Sequence, residues 1–334
     1  MKNKISYSVL VICFVCMSSI TNAKVWRLNN NAGISTDFTS FTTAQNAASN
    51  GDTIYVEGSP TSYGNITISK QLIIIGTGYF LTENPQTQAN LNSSKFGTVT
   101  FNTGSEGTIM TGLEITGDIE IKVGNISLLK NNTKNIHINS SISYGNILLS
   151  QNYIIGEITR NTGSSNIYNV IITNNCINNG NCTNCSRIGF GNNFSGLISN
   201  NILNCNIYDT HNFTYSNNIM CGALTLNNNN FFNNIGDGTQ FLAANGNMQN
   251  ISLFDIFVGF PTQGSYSSDG RFQLKSGSPA IGAGNDGTDC GIFGGVTPYV
   301  LSGMPEIPAV YEINMPSTGT TGNGINVTVK AKVH

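Results

Sequence analysis

The sequence has little charge. Charged residues make up 10% of its 334 residues, whereas ordinary globular domains contain about 25%. The 15 Lys and Arg residues nearly balance the 17 Asp and Glu residues, which gives a formal net charge of -2. Nucleic-acid binding requires a basic stripe, and a membrane-surface helix requires a basic face. The charge balance therefore argues against both functions.

Long hydrophobic segments are also missing from most of the chain. The exception is Val9–Met17, which follows two lysines and precedes the small residue Ala23. It is too short to span a membrane and is typical of a secretory signal peptide. Cys13 and Cys16 follow bulky residues, which argues against a lipid anchor. We expect residues 1–23 to be removed on export to the periplasm, the cell surface or the extracellular space, and the mature chain to have no membrane span.

Cysteine is scarce, and six cysteines remain after the signal peptide. An even number in an exported chain predicts disulfide bonds, although 15 pairings are open. Cys182 and Cys185 have the CxxC spacing of a zinc site, but no second pair accompanies them. A zinc site and buried free thiols remain the alternatives. The six residues are Cys176, Cys182, Cys185, Cys205, Cys221 and Cys290.

A two-residue polar step, usually Asn-Asn, recurs after short apolar runs. Examples are the segments Leu128–Asn132 and Ile171–Asn175. The step returns at intervals of 16 to 26 residues, which is the range of solenoid repeats. The second residues of the six steps are Asn132, Asn152, Asn175, Asn201, Asn218 and Asn234.

Asn is well suited to a tight corner between two strands. It tolerates a left-handed backbone and can hydrogen-bond locally. When Asn side chains stack at the same corner of successive turns, they can form an amide ladder. Short alternating runs such as Asn135–Ile138 predict strands with one buried face. The pattern therefore predicts a coil of about ten turns, whose short strands pair in parallel at about 4.8 Å.

Several segments resemble parts of a known superfamily. Phe38, Phe41 and Ala48 have helical spacing, as expected of a short helix that caps the open end of a coil. The segments similar to the first two and the closing turns of exported β-helix proteins are Gly51–Val56, Gln71–Gly76, Ser276–Gly284 and Asp289–Gly295. With the Asn step and the signal peptide, they make residues 25–297 resemble the right-handed parallel β-helix, or pectin-lyase-like, superfamily.

The resemblance implies an all-β fold: a right-handed parallel β-helix with a short N-terminal capping helix. We expect this domain over residues 24–297. Residues 298–334 are rich in Pro and Gly and end in an alternating segment. They predict an extension whose final strand packs on the coil. The superfamily includes lyases, hydrolases, adhesins and binding modules, so the fold leaves the activity open.

No complete catalytic motif is found in the sequence. The polygalacturonase motifs of the superfamily have no counterpart, and no Asp-Asp or Asp-x-Asp pair in the repeats suggests a calcium cluster. A lyase would need Ca²⁺ or a basic side chain to neutralise a uronate carboxylate, and a base near the C5 proton. We therefore predict no cofactor, unless the protein is a lyase, which could use Ca²⁺.

A few charged residues in the coil are candidates for a site. Arg160 and Asp209 each lie eight residues after an Asn step, two turns apart. If the loops bring them to one face, they would form a groove with a basic residue and a proton acceptor. The alternative is a scatter of solvated side chains. The candidate catalytic residues are Glu157, Arg160, Arg187, Asp209 and His211.

Two functions follow from these observations. The first is a non-catalytic module that contacts a polysaccharide or a cell-surface glycan, since sugars stack on aromatic rings and the coil carries several. The second is a lyase or glycosidase that acts on an acidic polysaccharide. Clustering of the charged candidates in one groove would favour the enzyme, and dispersal would favour the binding module. The aromatic candidates are Tyr144, Tyr153, Tyr168, Phe190, Phe194, Tyr208 and Tyr215.

Overall fold

The chain winds into a parallel β-helix. The computed structural model describes residues 23–178, 187–285, 287–319, 322 and 324–333. Each turn contributes one strand to a ten-stranded parallel sheet, sheet 1, which confirms the predicted coil of about ten turns. Its strands are β1 (Val25–Leu28), β2 (Thr53–Val56), β4 (Ile73–Ile75), β7 (Ile109–Thr111), β9 (Ile126–Leu129), β11 (Tyr144–Ser150), β14 (Ile167–Thr173), β17 (Phe194–Ser199), β20 (Phe213–Ser216) and β22 (Asn230–Phe232).

A second parallel sheet, sheet 2, forms the other walls of the coil. It contains thirteen strands and divides into two branches on either side of β10. One branch follows the Asn corner directly, and the other lies later in each turn. The strands are β3 (Ile66–Ile68), β5 (Lys95–Phe96), β6 (Val99–Phe101), β8 (Glu114–Ile121), β10 (Asn132–Ser140), β12 (Tyr153–Ile154), β13 (Ile158–Gly163), β15 (Cys176–Asn178), β16 (Arg187–Gly189), β18 (Ile202–Asn204), β19 (Asn206–Ile207), β21 (Ile219–Cys221) and β23 (Ile235–Gly236).

The core is a stack of apolar side chains inside the coil. Alternate residues of each short strand point inward, and parallel pairing places equivalent residues of successive turns above one another. All members of one such row are buried. The row consists of Ile54, Ile74, Met110, Leu128, Leu149, Ile172, Ile198, Tyr215 and Phe231.

A short helix covers the N-terminal end of the coil, as the sequence predicts. Helix α1 (Phe41–Ala47) begins after Ser40, whose hydroxyl accepts a hydrogen bond from the Thr43 N–H. Phe41 is buried and packs edge-on against Phe96, with 5.7 Å between ring centroids. The helix thus shields apolar side chains that would otherwise face water at the first turn.

Buried Asn side chains connect successive turns at one corner. Each side-chain N–H₂ donates to the side-chain oxygen of the next Asn, at 2.9–3.2 Å. The backbone N–H of each ladder residue donates to the same oxygen, so the amide and the backbone of every corner are both satisfied. The ladder consists of Asn131, Asn152, Asn175, Asn201, Asn218, Asn234 and Asn247.

The first ladder residue is Asn131, so the sequence-based assignment of Asn132 is wrong. In each turn the ladder residue directly follows a residue with a left-handed backbone. In this turn the left-handed residue is Lys130, at φ 54°. The Asn-Asn doublet is therefore shifted by one position relative to the corner. Asn132 already belongs to β10, and its side-chain oxygen is buried without a hydrogen-bond partner.

The residues with a left-handed backbone at the corners form hydrogen bonds to a later segment of the chain. Their side chains point out of the coil, where residues 283–306, the return segment, run back past the corners. Asn233 donates to the carbonyl oxygen of Ala283 at 3.1 Å. Asn174, which lies three turns nearer the N-terminus than Asn233, donates to the carbonyl oxygen of Ile292 at 2.9 Å. The segment predicted to close the coil thus runs along its side.

Two further contacts anchor the return segment near the N-terminal turns. The hydroxyls of Tyr79 and Tyr299 lie 2.6 Å apart in a fully buried contact. Burial raises the pKa of both tyrosines well above the usual value. The ammonium of Lys130 lies 2.9 Å from the carboxylate of Glu306. The return segment is therefore joined to the coil by side chains from both ends of the ladder.

The C-terminal residues form a separate antiparallel hairpin. Strand β24 (Ala309–Asn314) pairs with β25 (Thr328–Lys332). The predicted final strand exists as β25, but its partner is β24 rather than the coil. The short helix α2 (Leu253–Ile256) and two 3₁₀ turns, Gly270–Phe272 and Leu301–Gly303, complete the secondary structure. None of the helices in the described residues has the length and apolar character needed to cross a membrane.

Cys176 and Cys205 differ from the disulfide prediction, whereas Cys221 is disulfide-bonded. Cys176 and Cys205 are buried free thiols, and the Cys290 thiol donates to the Asn233 carbonyl oxygen at 3.2 Å. Cys182 and Cys185, which form the CxxC spacing, lie outside the described residues, as do residues 1–22 of the signal peptide predicted over residues 1–23. The coil spaces successive corners by backbone hydrogen bonds, so it does not depend on cross-links at Cys176 and Cys205.

The position of the ladder can be tested with two neighbouring substitutions. Asn131→Ala removes the acceptor for the Leu113 N–H and the donor to the Met110 carbonyl oxygen. We expect it to lower the free energy of unfolding by about 3 kcal/mol, because each buried unsatisfied group costs about 1–3 kcal/mol. Asn132→Ala removes an oxygen that has no partner and should cost less than about 1 kcal/mol. Urea unfolding measures both, and equal losses would contradict the assignment.

The buried thiols should be unreactive in the folded protein. Burial raises the pKa of the Cys176 thiol well above its usual range and that of Cys205 to about 12. At about pH 8 few thiolates form in either residue, and the thiolate is the reactive species. Iodoacetamide followed by mass spectrometry should label both only after unfolding. Rapid labelling of either residue in the native protein would show that the burial is wrong.

Candidate functional site

The five charged candidates lie on one face of the coil. Strands β13, β16 and β19 form a short parallel ladder in sheet 2. Its central row is Ile158, Ile188 and Ile207, and all three are buried. Their inward orientation turns the residues directly before two of them, Glu157 and Arg187, outward. Arg160 and Asp209 come later in their turns and line the same pocket as Arg187, and His211 contacts Asp209. We call the resulting surface the charged face; it carries Glu157, Arg160, Arg187, Asp209 and His211.

A pocket of about 190 Å³ lies at the centre of the charged face. Arg160 and Arg187 come from adjacent turns, and Asp209 comes from the next turn. The pocket is therefore built from three turns that are separated in sequence by variable loops. Its lining residues are Thr159, Arg160, Arg187, Gly189, Phe190, Gly191, Tyr208 and Asp209.

Two side-chain pairs, an arginine with a carboxylate and an imidazole with a carboxylate, involve most of the charged candidates on this face. The Arg187 Nε donates to the Glu157 carboxylate at 2.9 Å. The His211 Nε2 lies 3.3 Å from the Asp209 Oδ1. Both pairs are partly exposed to water, so each contributes little to stability. They orient the side chains around the pocket, and one cationic side chain of this face has no carboxylate partner.

That remaining cation is Arg160. It lines the pocket, and no carboxylate of the described residues lies within ion-pair distance of its guanidinium. The guanidinium packs against Gly191, where a Cβ would lie 2.7 Å from the Arg160 Nη1. Gly191 has φ 78°, a backbone that favours glycine. Glycine at this position therefore allows Arg160 to lie close to the pocket wall.

The charged face extends two turns further towards the N-terminus than the sequence candidates. The Nδ1 of His137 lies 3.1 Å from the Thr159 hydroxyl, and its Nε2 lies 3.8 Å from the Asp118 carboxylate. The Asn161 amide donates to Glu120 at 3.1 Å. These residues can be recognised as neighbours from the strand register, because Glu120, His137 and Thr159 pair in successive turns. The sequence shows this only when the turn lengths are known.

The charged face offers no complete set of ligands for a metal ion. Within the described part of the chain, no group of three or more His, Cys, Asp or Glu side chains lies close enough together to hold one. The pocket lining includes one carboxylate, that of Asp209. An acidic ligand at this site would therefore meet a guanidinium, which recognises carboxylates directly.

The aromatic candidates divide into core and surface residues. Tyr168 and Tyr208 are 53% and 44% exposed. Tyr208 belongs to the pocket of the charged face, whereas Tyr168 lies on sheet 1. The other five pack inside the protein, where they fill turns of the coil. These buried residues are Tyr144, Tyr153, Phe190, Phe194 and Tyr215.

Comparison with known proteins gives no match. No protein-family model, no curated protein and no solved structure matches the chain. The description of the fold as a parallel β-helix therefore depends on its own two parallel sheets. A function has to be inferred from the charges, the pocket and the exposed rings of the described residues.

Proposed function

We propose that this chain is an exported member of the pectin-lyase-like superfamily that binds an acidic polysaccharide at its charged face. The observation that supports this function best is the unpaired guanidinium of Arg160 in the pocket. A guanidinium binds a carboxylate or sulfate through two parallel hydrogen bonds. Polysaccharides with uronate or sulfate groups carry such anions along their length.

The surroundings of Arg160 suit a sugar ligand. Tyr208 provides an exposed ring on the pocket wall, and an amphipathic ring can pack against the apolar face of a sugar. The Thr159 and Asp209 side chains add groups that hydrogen-bond to hydroxyls. The pocket is open to solvent at the side of the coil, so a long chain can pass across it.

Binding without cleavage is the function that we favour. A glycosidase requires two carboxyl groups that are free to act as acid and as base or nucleophile. On the charged face, Glu157 is engaged by Arg187 and Asp209 by His211. These two contacts therefore occupy the acids that hydrolysis would need, while Arg160 stays available to an anion.

The role of Arg160 can be tested by affinity electrophoresis in gels that contain polygalacturonate, alginate or chondroitin sulfate. We expect at least one polymer to retard the purified mature chain. Arg160→Ala should weaken this binding about tenfold or more, because a hydrogen bond to a charged group contributes about 1.5–3 kcal/mol. Added salt should weaken the binding of the unmodified chain as well.

A matched control is Arg27→Ala. Arg27 pairs with Glu57 near the N-terminal end of the coil, far from the charged face in sequence and on a different sheet. Its removal lowers the net positive charge equally but should leave the retardation unchanged. If both variants lose binding equally, the attraction is non-specific. If no acidic polymer retards the unmodified chain, the proposed function is wrong.

The Asp209–His211 pair supports a second candidate function, a polysaccharide lyase. A carboxylate that orients an imidazole is a common arrangement for a general base. His211 would take the C5 proton of a uronate, the electron pair would form the new double bond, and the glycosidic oxygen would leave. Arg160 would neutralise the uronate carboxylate during this step.

The lyase function makes its own prediction. Incubation with uronate polysaccharides, with and without Ca²⁺, should raise the ultraviolet absorbance as unsaturated uronate forms. His211→Gln should then abolish the rise, because glutamine cannot accept the C5 proton, and circular dichroism should show an unchanged fold. A flat trace for the unmodified chain on every polymer would exclude the lyase and leave binding as the function.

A further inference from the structure

The outer surface of sheet 1 carries an unusual row of apolar side chains. Strand register places Ile109, Ser127, Leu148, Ile171 and Leu197 next to one another on successive turns. All five are partly exposed, whereas their neighbours along each strand point into the core. The solvent face of a sheet is usually polar, and a contiguous apolar area on a surface marks a binding site.

A stack of exposed amides lies along one edge of this row. The Asn146 amide donates to Asn125 at 2.8 Å, and the Asn169 amide donates to Asn146 at 2.7 Å. All three residues have a left-handed backbone, which aligns them at the same position of successive turns. Each amide still has hydrogen-bonding capacity that its neighbour does not use. The edge therefore offers donors and acceptors repeated about every 4.8 Å.

An exposed aromatic ring lies at the same edge. Tyr168 is 53% exposed, and its ring lies against the backbone of Gly145 in the preceding turn. A Cβ at Gly145 would lie 2.4 Å from the ring, so only glycine allows this position. The other face of the ring is open to a ligand.

The opposite edge is formed by the return segment. Pro305, Leu148 and Gln151 line the same cavity, and the side-chain oxygen of Gln151 is buried without a hydrogen-bond partner. This cavity of about 390 Å³ shares Leu148 with a second one of about 310 Å³, and a third of about 320 Å³, which Tyr168 lines, shares Asn146 with the second. Together they form one groove across sheet 1, which we call the neutral groove.

The neutral groove has little net charge. Lys130 and Glu306 both line it, and they neutralise each other at 2.9 Å. At the Tyr168 end, the carboxylate of Glu106 accepts a hydrogen bond from the Gly104 N–H. An anionic chain would meet a carboxylate at this end and no free cation among the described lining residues. The electrostatics therefore favour an uncharged ligand.

We propose that the neutral groove binds an uncharged glycan chain. Sugar rings have apolar faces for the aliphatic floor and for Tyr168, and hydroxyl edges for the amide stack. The proposal is independent of the charged face, because the neutral groove is built on sheet 1 and the charged face on sheet 2. One chain would thus contact two kinds of polysaccharide on two sides of its coil.

The test is affinity electrophoresis of the mature chain in gels that contain hydroxyethyl cellulose, xyloglucan, galactomannan or dextran. We expect at least one of these uncharged polymers to retard it. Leu148→Lys and Tyr168→Ala should each weaken the binding about tenfold, the loss expected when one buried side-chain contact is removed. Both residues are at least partly exposed, and circular dichroism should show that the coil persists.

Two control variants show whether the binding depends on the neutral groove. Thr214→Lys adds the same charge to the same outer row beyond Leu197, outside all three cavities, and should bind normally. Arg160→Ala should also bind normally, because it alters only the charged face. Failure of every uncharged polymer to retard the chain would overturn the proposal, as would binding that neither Leu148→Lys nor Tyr168→Ala weakens. A dimer that sedimentation shows and Leu148→Lys dissolves would make the neutral groove a self-interface and also overturn it.

Discussion

The structure depends on amide groups that are buried where water cannot reach them. A buried amide without partners costs several kcal/mol, so each ladder Asn must find its donors and acceptors in the turns above and below. This requirement holds the corner of every turn from Asn131 to Asn247 at one place. The distance in sequence from one ladder Asn to the next varies from 13 to 26 residues. Most of the variation thus lies in loops, and the register shifts within only three of the parallel strand pairs in the described residues.

The Asn-Asn step does two different things. The first residue takes up the left-handed backbone and turns its side chain outward, and the second turns inward to the ladder. The outward side chains then hold the return segment by its backbone oxygens, as Asn174 does for Ile292. Where the return segment leaves the corners, the outward residue is Gln151 and its oxygen remains unpaired. The outward side chains at the corners therefore both hold the return segment and form one edge of the neutral groove.

The scarce charges are distributed unevenly over the coil. The branch of sheet 2 that contains β13 and β16 places two arginines around one pocket, and one of them, Arg187, pairs with Glu157. The outer face of sheet 1 has aliphatic residues and amides instead. Each parallel row repeats one environment from turn to turn, so a surface of one chemical kind extends over several turns. A solenoid can in this way present separate surfaces for charged and uncharged ligands.

Local patterns in the sequence determined the kind of fold. Alternation with period two, the recurring Asn step and the helical spacing of Phe41 and Ala48 depend on near neighbours, and they predict the coil and its cap. The shift from Asn132 to Asn131, the free thiol of Cys176 and the neutral groove were decided only by tertiary structure. The physical reason is register: loops of unequal length decide which residues of distant turns become neighbours. That register also places Arg160 and Arg187 around one pocket, which a single sequence cannot show.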